Sequence, residues 1–160
     1  MYNFLIQMYY IATTRFNQDT WQQNKEWRES HKWSGCVYGS PVRIADKYTP
    51  NASMFVLEMN NDKNKIQGIG FIKNKNHIGK YHKIYKDGNY NRYIYKSSRR
   101  VDRKNLDREQ KKTIRILDIL LFKGSRHLKR GQGIIVVPEW ISENKHILFI
   151  PFFKKIFNIE

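Results

Sequence analysis

Three short spacings in the chain hold residue types that could act on a phosphodiester or bind a metal. His127-Leu128-Lys129 opens like the H-x-K-x4-D phosphodiesterase motif, but position 134 is Ile and the acid is missing. Glu109-Gln110-Lys111 fits the E-x-K of some nucleases, yet it falls early in an amphipathic helical pattern where those side chains face solvent. His77 and His82 are five apart, a poor spacing for metal ligands, with no obvious carboxylate partner. No Ser/His/Asp or Cys/His arrangement stands out for nucleophilic catalysis. Cys36, between Gly35 and Val37, reads as a small buried hydrophobe. These residues define no catalytic set, and the sequence calls for no cofactor and no metal.

The residues that hold a ligand are easier to find than residues that transform one. Residues 73–104 contain eleven Lys or Arg against two Asp, interleaved with Tyr81, His82, Tyr85, Tyr90, Tyr93 and Tyr95. Cations neutralise phosphates and release counterions, while tyrosine rings offer faces on which unpaired bases stack. Arg92, Lys96, Arg99, Arg100 and Arg103 are the candidate backbone contacts here. The competing reading is a solvated β-surface whose tyrosines cover the sheet. Residues 123–133, KGSRHLKRGQG, place Lys123, Arg126, His127, Lys129 and Arg130 among three glycines without one acid. Glycine lets backbone N–H groups approach an anion, and arginine grips phosphate bidentately. The order is not that of a P-loop, and an ordinary surface connection is the alternative. Trp21, Trp27, Trp33 and Tyr38 form an aromatic cluster that could sandwich a planar base or build core.

The elements that must position these residues are organised around residues 53–73. Two apolar runs, 54–59 and 66–72, are joined by Asn60-Asn61-Asp62-Lys63-Asn64, whose residue types favour a tight reversal. The first run is nearly continuous, as in a strand covered on both faces. Gly68 and Gly70 in the second ask for a bulge, a bend or a close neighbour, and suggest a hairpin that curves as in small closed barrels. Residues 4–15 predict a first strand. Asp19 and Gln22 stand in capping-box spacing before a helix over about 20–29. Trp21 and Trp27 are six apart, so at least one should point away from the common core. Residues 33–39 read as a loop leading into a short strand, 41–47 as a turn of helix or a further strand, and 90–96 alternate like a strand. Asp107 and Gln110 open the clearest helix, to about Phe122. Residues 134–137 predict a strand ended by Pro138, and 142–158 a helix broken or started around Pro151.

Composition sets the frame. The chain of 160 residues carries 30 Lys plus Arg against 14 Asp plus Glu, a formal charge of +16, and is 40% hydrophobic. It can bury a core as one domain, and its charge favours a polyanionic partner, with nucleic acid ahead of an anionic membrane surface. A lysine-rich compositional bias is the bland explanation of the same charge. One cysteine excludes an internal disulfide and favours an intracellular protein, cytoplasmic or nuclear. Residues 2–12 make a poor signal peptide, and the seven-residue apolar run 147–153 is too short to span a bilayer.

An opening strand at 8–15, a Trp-bearing helix, the W-x-G-C-x-Y-G segment at 33–39 and the strand pair MFVLEMNN and KIQGIGFI together resemble the PUA-like superfamily, and within it the EVE and YTH domains. The resemblance covers roughly residues 8–103. It implies a small β-barrel with an aromatic-lined pocket for a modified base, with Asn17 and Trp21 at its mouth and Trp33 and Tyr38 on its wall. The chain is also similar to uncharacterised short proteins of large DNA viruses, which implies no activity. The expected architecture is α+β: a curved, mostly antiparallel sheet or small barrel flanked by about three helices, one domain over 1–160 with a helical extension from about 139. The expected function is non-catalytic nucleic-acid binding, with RNA and DNA both open, in the form of a reader of a modified or flipped base. The alternatives are a packaging protein that condenses nucleic acid by charge, and a nuclease.

Overall fold

The computed structural model describes residues 8–77 and 81–160. Of the predicted first strand, residues 4–7 lie outside that range. Strand β1 is Tyr9–Phe16, followed by α1 (Gln18–Ser30), β2 (Cys36–Ser40), β3 (Ser53–Asn60) and β4 (Lys65–Lys73). Then come β5 (Tyr93–Ser97), β6 (Arg100–Asp102), α2 (Arg108–Phe122), β7 (Ile135–Val136), α3 (Glu139–Ser142) and α4 (Phe149–Ile156).

The protein is α+β. Its main sheet has the order β6-β4-β3-β1-β7, and β2 and β5 form a separate two-stranded sheet. All pairs are antiparallel except β1 with β3 at the centre of the main sheet. A parallel pair needs a long crossover, and here α1 and β2 lie within it. The central hairpin forms as the sequence predicts. Every residue of β3 is buried, because apolar layers cover both faces of the sheet. One layer holds Phe55, Leu57, Ile69 and Phe71 against α2 and α4; the other holds Met54, Val56 and Ile72 against α1, β2 and β5.

A closed barrel does not form. The main sheet ends in β6 and β7 as edges, and β5 of the smaller sheet is tied to the chain just beyond β4 by the backbone bond His77 N–H to Ile94 O at 2.7 Å. The β3–β4 register shifts between Leu57 and Met59. The glycines of β4 serve the third option open to them, a close neighbour. A Cβ at Gly68 would stand 2.5 Å from Arg100 Nη2, and one at Gly70 would meet the Tyr38 hydroxyl and, at 2.8 Å, Cys36 Sγ.

Two local expectations for α1 are corrected. The helix starts earlier than predicted, capped by Asn17 with Thr20 rather than by Asp19 with Gln22. Asn17 Oδ1 accepts from Thr20 N at 2.7 Å, and Thr20 Oγ1 accepts from Asn17 N at 3.0 Å. Trp21 and Trp27 are both buried in the same core, contrary to the six-residue spacing argument. The buried face of α1 runs Trp21, Asn24, Trp27 in steps of three, and Asn24 uses its amide on Val37 O (2.7 Å) and on the Tyr85 hydroxyl (3.1 Å). The α2 capping box at Asp107 and Gln110 forms as predicted. Residues 41–47 are bends and turns, neither helix nor strand, and the C-terminal region holds two short helices, making four α-helices in all among the described residues.

Candidate functional site

The layer between α1 and the two sheets contains a buried polar network. Glu58 lies in the middle of β3, and its side chain is 2% exposed. Arg100, at the start of β6, grips it with Nε to Oε2 at 2.9 Å and Nη2 to Oε1 at 2.6 Å. Tyr38 donates its hydroxyl to Oε2 at 2.7 Å, and Arg100 Nη1 also reaches Asp102 at 3.2 Å. Burial alone would lower the Arg100 guanidinium; Glu58 outweighs it and holds the group above its ordinary value. The Trp21 ring lies 5.5 Å from the Arg100 guanidinium carbon and 5.3 Å from that of Arg28.

Cys36 belongs to the same layer. Burial, then the charge of Glu58, push its thiol up to about 12 from an ordinary 9.0. A group held protonated in the fold stabilises it fully below the ordinary value and loses that contribution as pH rises toward 12. Cys36 should therefore react with a thiol reagent at about pH 8 only as fast as the protein opens. Stoichiometric labelling of the native protein on mixing would contradict this placement.

These contacts separate the residues that the sequence grouped as a base pocket. Tyr38 and Trp21 are packed in the core rather than on an open wall. Asn17 caps α1 at one end. Trp33 lies beyond the other, its indole N–H donating to Cys36 O at 3.0 Å, in a cleft of about 420 Å³ with Trp27, His31 and Tyr81. A 13-residue helix, roughly 20 Å long, stands between them. Trp27 stacks there between His31 (ring centres 4.2 Å apart) and His82 (5.5 Å).

The candidate backbone contacts divide in the same way. Arg100 and Arg103 are committed within the fold: Arg103 bonds Ile66 O at 3.0 Å and pairs with Asp118 at 2.8 Å. An arginine already paired this closely does not offer its charge to a phosphate. Lys96 Nζ is 3.0 Å from His82 Nε2 and 5.0 Å from the Trp33 ring centre. Arg99 lies between Phe71 and Phe157 and bonds the Phe157 carbonyl. Arg92 is exposed beside the Tyr93 ring. Lys123, Arg126 and Arg130 are exposed, with Arg126 4.0 Å over the Trp140 ring. His127 Nδ1 accepts from Lys129 N at 3.2 Å. The cations thus do adjoin rings, each beside a different one.

One cleft unites two of the predicted parts. It has a volume of about 240 Å³ and opens where β1 passes into α1, lined by Arg15, Asn17 and Thr20. Gly39, Tyr85 and Tyr90 form another side, and Lys129, Gly131 and Gly133 of the basic loop close it. Gly131 and Gly133 adopt φ of 114° and 75°, values that favour glycine and let this loop turn back against β1. Arg15 holds the loop in place. Its Nη1 donates to Leu128 O at 2.9 Å and its Nη2 to Gly133 O at 3.1 Å, and no carboxylate among the described residues pairs with it. Burial lowers its guanidinium to about 10, which leaves it charged at neutral pH. Arg15 Nε and Asn61 Oδ1 are buried beside the cleft without hydrogen-bond partners. Sequence reasoning counted Tyr90 among the stacking rings but missed Arg15 and Asn61. The available signal was a lone charge inside the apolar β1 run, since an arginine there must find partners or a ligand.

The fold and clefts define an α+β protein with an open mixed sheet and a basic, glycine-bordered recess. No family model, curated protein or solved structure matches the chain. No helix among the described residues is long and apolar enough to cross a membrane.

Proposed function

We propose that the protein is a non-catalytic nucleic-acid-binding module that receives one unpaired base in the cleft at the β1–α1 junction. The observation that carries this reading is the content of that recess. A volume of about 240 Å³ is below the ~300–1,000 Å³ of typical small-molecule sites and suits a single planar heterocycle. Tyr90 offers a ring, Asn17 offers the side-chain NH2 that its cap leaves over, and Lys129 with the uncompensated Arg15 supplies positive potential for the adjoining phosphates. Exposed Lys123, Arg126 and Arg130 extend the same loop outward along the path of a strand. Of the four pocket residues that the EVE and YTH resemblance implies, Asn17 alone lines this cleft, and what the resemblance adds is a modified base as the occupant to test.

Fluorescence anisotropy with single-stranded RNA and DNA oligonucleotides, with and without base modifications, tests the proposal. Tyr90→Ala should weaken binding about tenfold, the loss of one base stack. Lys129→Glu should weaken it and flatten its salt dependence. Binding that ignores both substitutions while remaining steeply salt-dependent would replace this reading with packaging by charge. No binding at low ionic strength would remove both. Metal-dependent cleavage of the oligonucleotides would establish a nuclease instead.

A further inference from the structure

A second recess lies at the opposite end of β1. We infer that it is a separate binding groove for a nucleotide carrying more than one phosphate charge. The inference does not rest on the base-cleft reading, because Tyr9 and Phe16 stand at the two ends of an eight-residue strand, roughly 20 Å apart at ~3.3 Å per residue.

The groove has a volume of about 910 Å³ and runs between the ends of β4 and β5. Its floor is apolar, built from Tyr9, Phe71, Ile72 and Ile159. Lys73, Lys75, Lys96 and Arg99 line it, with no Asp or Glu among the described residues. The Lys73 ammonium donates to Ser53 Oγ at 2.8 Å and that of Lys96 lies 3.0 Å from His82 Nε2, so Lys75 and Arg99 are the cations best placed to meet a ligand. Hydroxyl and amide groups of Ser97, Ser98 and Asn76 supply neutral hydrogen-bonding partners between the cations. Arg99 is positioned in advance: its guanidinium lies 5.3 Å from the Phe71 ring centre and 5.6 Å from that of Phe157 and donates to the Phe157 carbonyl, while its backbone N–H bonds Ser97 Oγ at 3.0 Å. A cation immobilised before binding loses little freedom when an anion arrives.

The chemistry of the occupant follows from this arrangement. An apolar floor beneath a cationic rim selects an amphipathic anion. Lys75 and Arg99, backed by Lys73 and Lys96 and with no acid among the described lining residues, suit several phosphate charges better than a single carboxylate. The volume exceeds what one base fills and accommodates a base, its ribose and a phosphate chain. Two sources share this chemistry, a free nucleoside polyphosphate and two successive nucleotides of a strand.

Isothermal titration of the full chain with ATP, AMP, inorganic tripolyphosphate and the dinucleotide pTpT tests the inference. ATP should bind more tightly than AMP and than tripolyphosphate. Lys75→Glu, at an exposed position outside the core, should weaken ATP on the order of tenfold. Arg99→Gln should weaken it as well, while Tyr90→Ala at the other cleft should leave it unchanged. Displacement of ATP by pTpT would identify the strand as the source; failure to displace it would identify the free nucleotide. Tripolyphosphate binding as tightly as ATP, or ATP binding that is absent or indifferent to both rim variants, would overturn the proposal.

Discussion

Replacing Glu58 with alanine is expected to destabilise the protein by about 3–5 kcal/mol, the typical cost of removing one partner of a buried ion pair. Arg100 would keep its charge with its side chain 5% exposed, and only Asp102, at 3.2 Å, would remain to balance it. Tyr38 would lose the acceptor of its hydroxyl as well. Most of this penalty comes from the stranded charge rather than from a large net worth of the pair itself. Glu58→Leu combined with Arg100→Met should therefore recover much of what Glu58→Ala loses, since apolar replacement of both partners is often neutral. Urea denaturation of the parent, Glu58→Ala and the double variant measures this. A Glu58→Ala midpoint close to the parent's would show that the network contributes nothing to stability, and the account of the interior given above would fall with it.

Gly70→Val should have the next largest effect, about 3 kcal/mol, and Gly70→Ala about 1–3 kcal/mol. The strand geometry at Gly70 is ordinary; the constraint is space. A Cβ there meets the hydroxyl of Tyr38, whose ring is 1% exposed and has nowhere to retreat, and lies 2.8 Å from Cys36 Sγ. Moving Tyr38 would also break its bond to Glu58, so part of the cost is the unsatisfied carboxylate oxygen. A double-mutant cycle separates the parts. Gly70→Ala should cost less in a Tyr38→Phe background, where the offending oxygen is gone. An equal cost in both backgrounds would show that the contact is not the cause.

Both expectations concern residues whose importance is muted in the sequence. Glu58 reads as one acid in an apolar strand, and Gly68 and Gly70 read as a bend. Tertiary structure turns them into one object: Gly68 clears room on β4 for an ion pair whose partners are 42 residues apart, and Gly70 for the Tyr38 hydroxyl that bonds the same acid. Glycine as a source of curvature suggests a barrel, as does the PUA-like resemblance; the sheet stays open, and both glycines serve clearance.

The binding residues divide for a similar reason. The EVE and YTH resemblance implies one pocket for Asn17, Trp21, Trp33 and Tyr38, but α1 carries its two ends to different clefts and turns the residues between them inward. Among the arginines of residues 99–103, composition could not distinguish Arg99, on the rim of a groove, from Arg100 and Arg103, each paired with an acid. The glycine-punctuated loop 123–133 was legible as basic and acid-free. That Arg15, 118 residues before Gly133, pins it against β1 was not.

Local patterning by itself determined the central hairpin, the doubly covered β3, the capped α2, the stop at Pro138 and the burial of Cys36. Each depends on periodicity or on turn and cap chemistry within a few residues, where spacing translates directly into geometry. Tertiary structure alone decided the parallel β1–β3 pairing, the open sheet, the partners of Glu58 and Arg15, and which rings line a cleft. Those depend on side chains from distant segments competing for the same buried space, and no local repeat in the chain records how that competition ends.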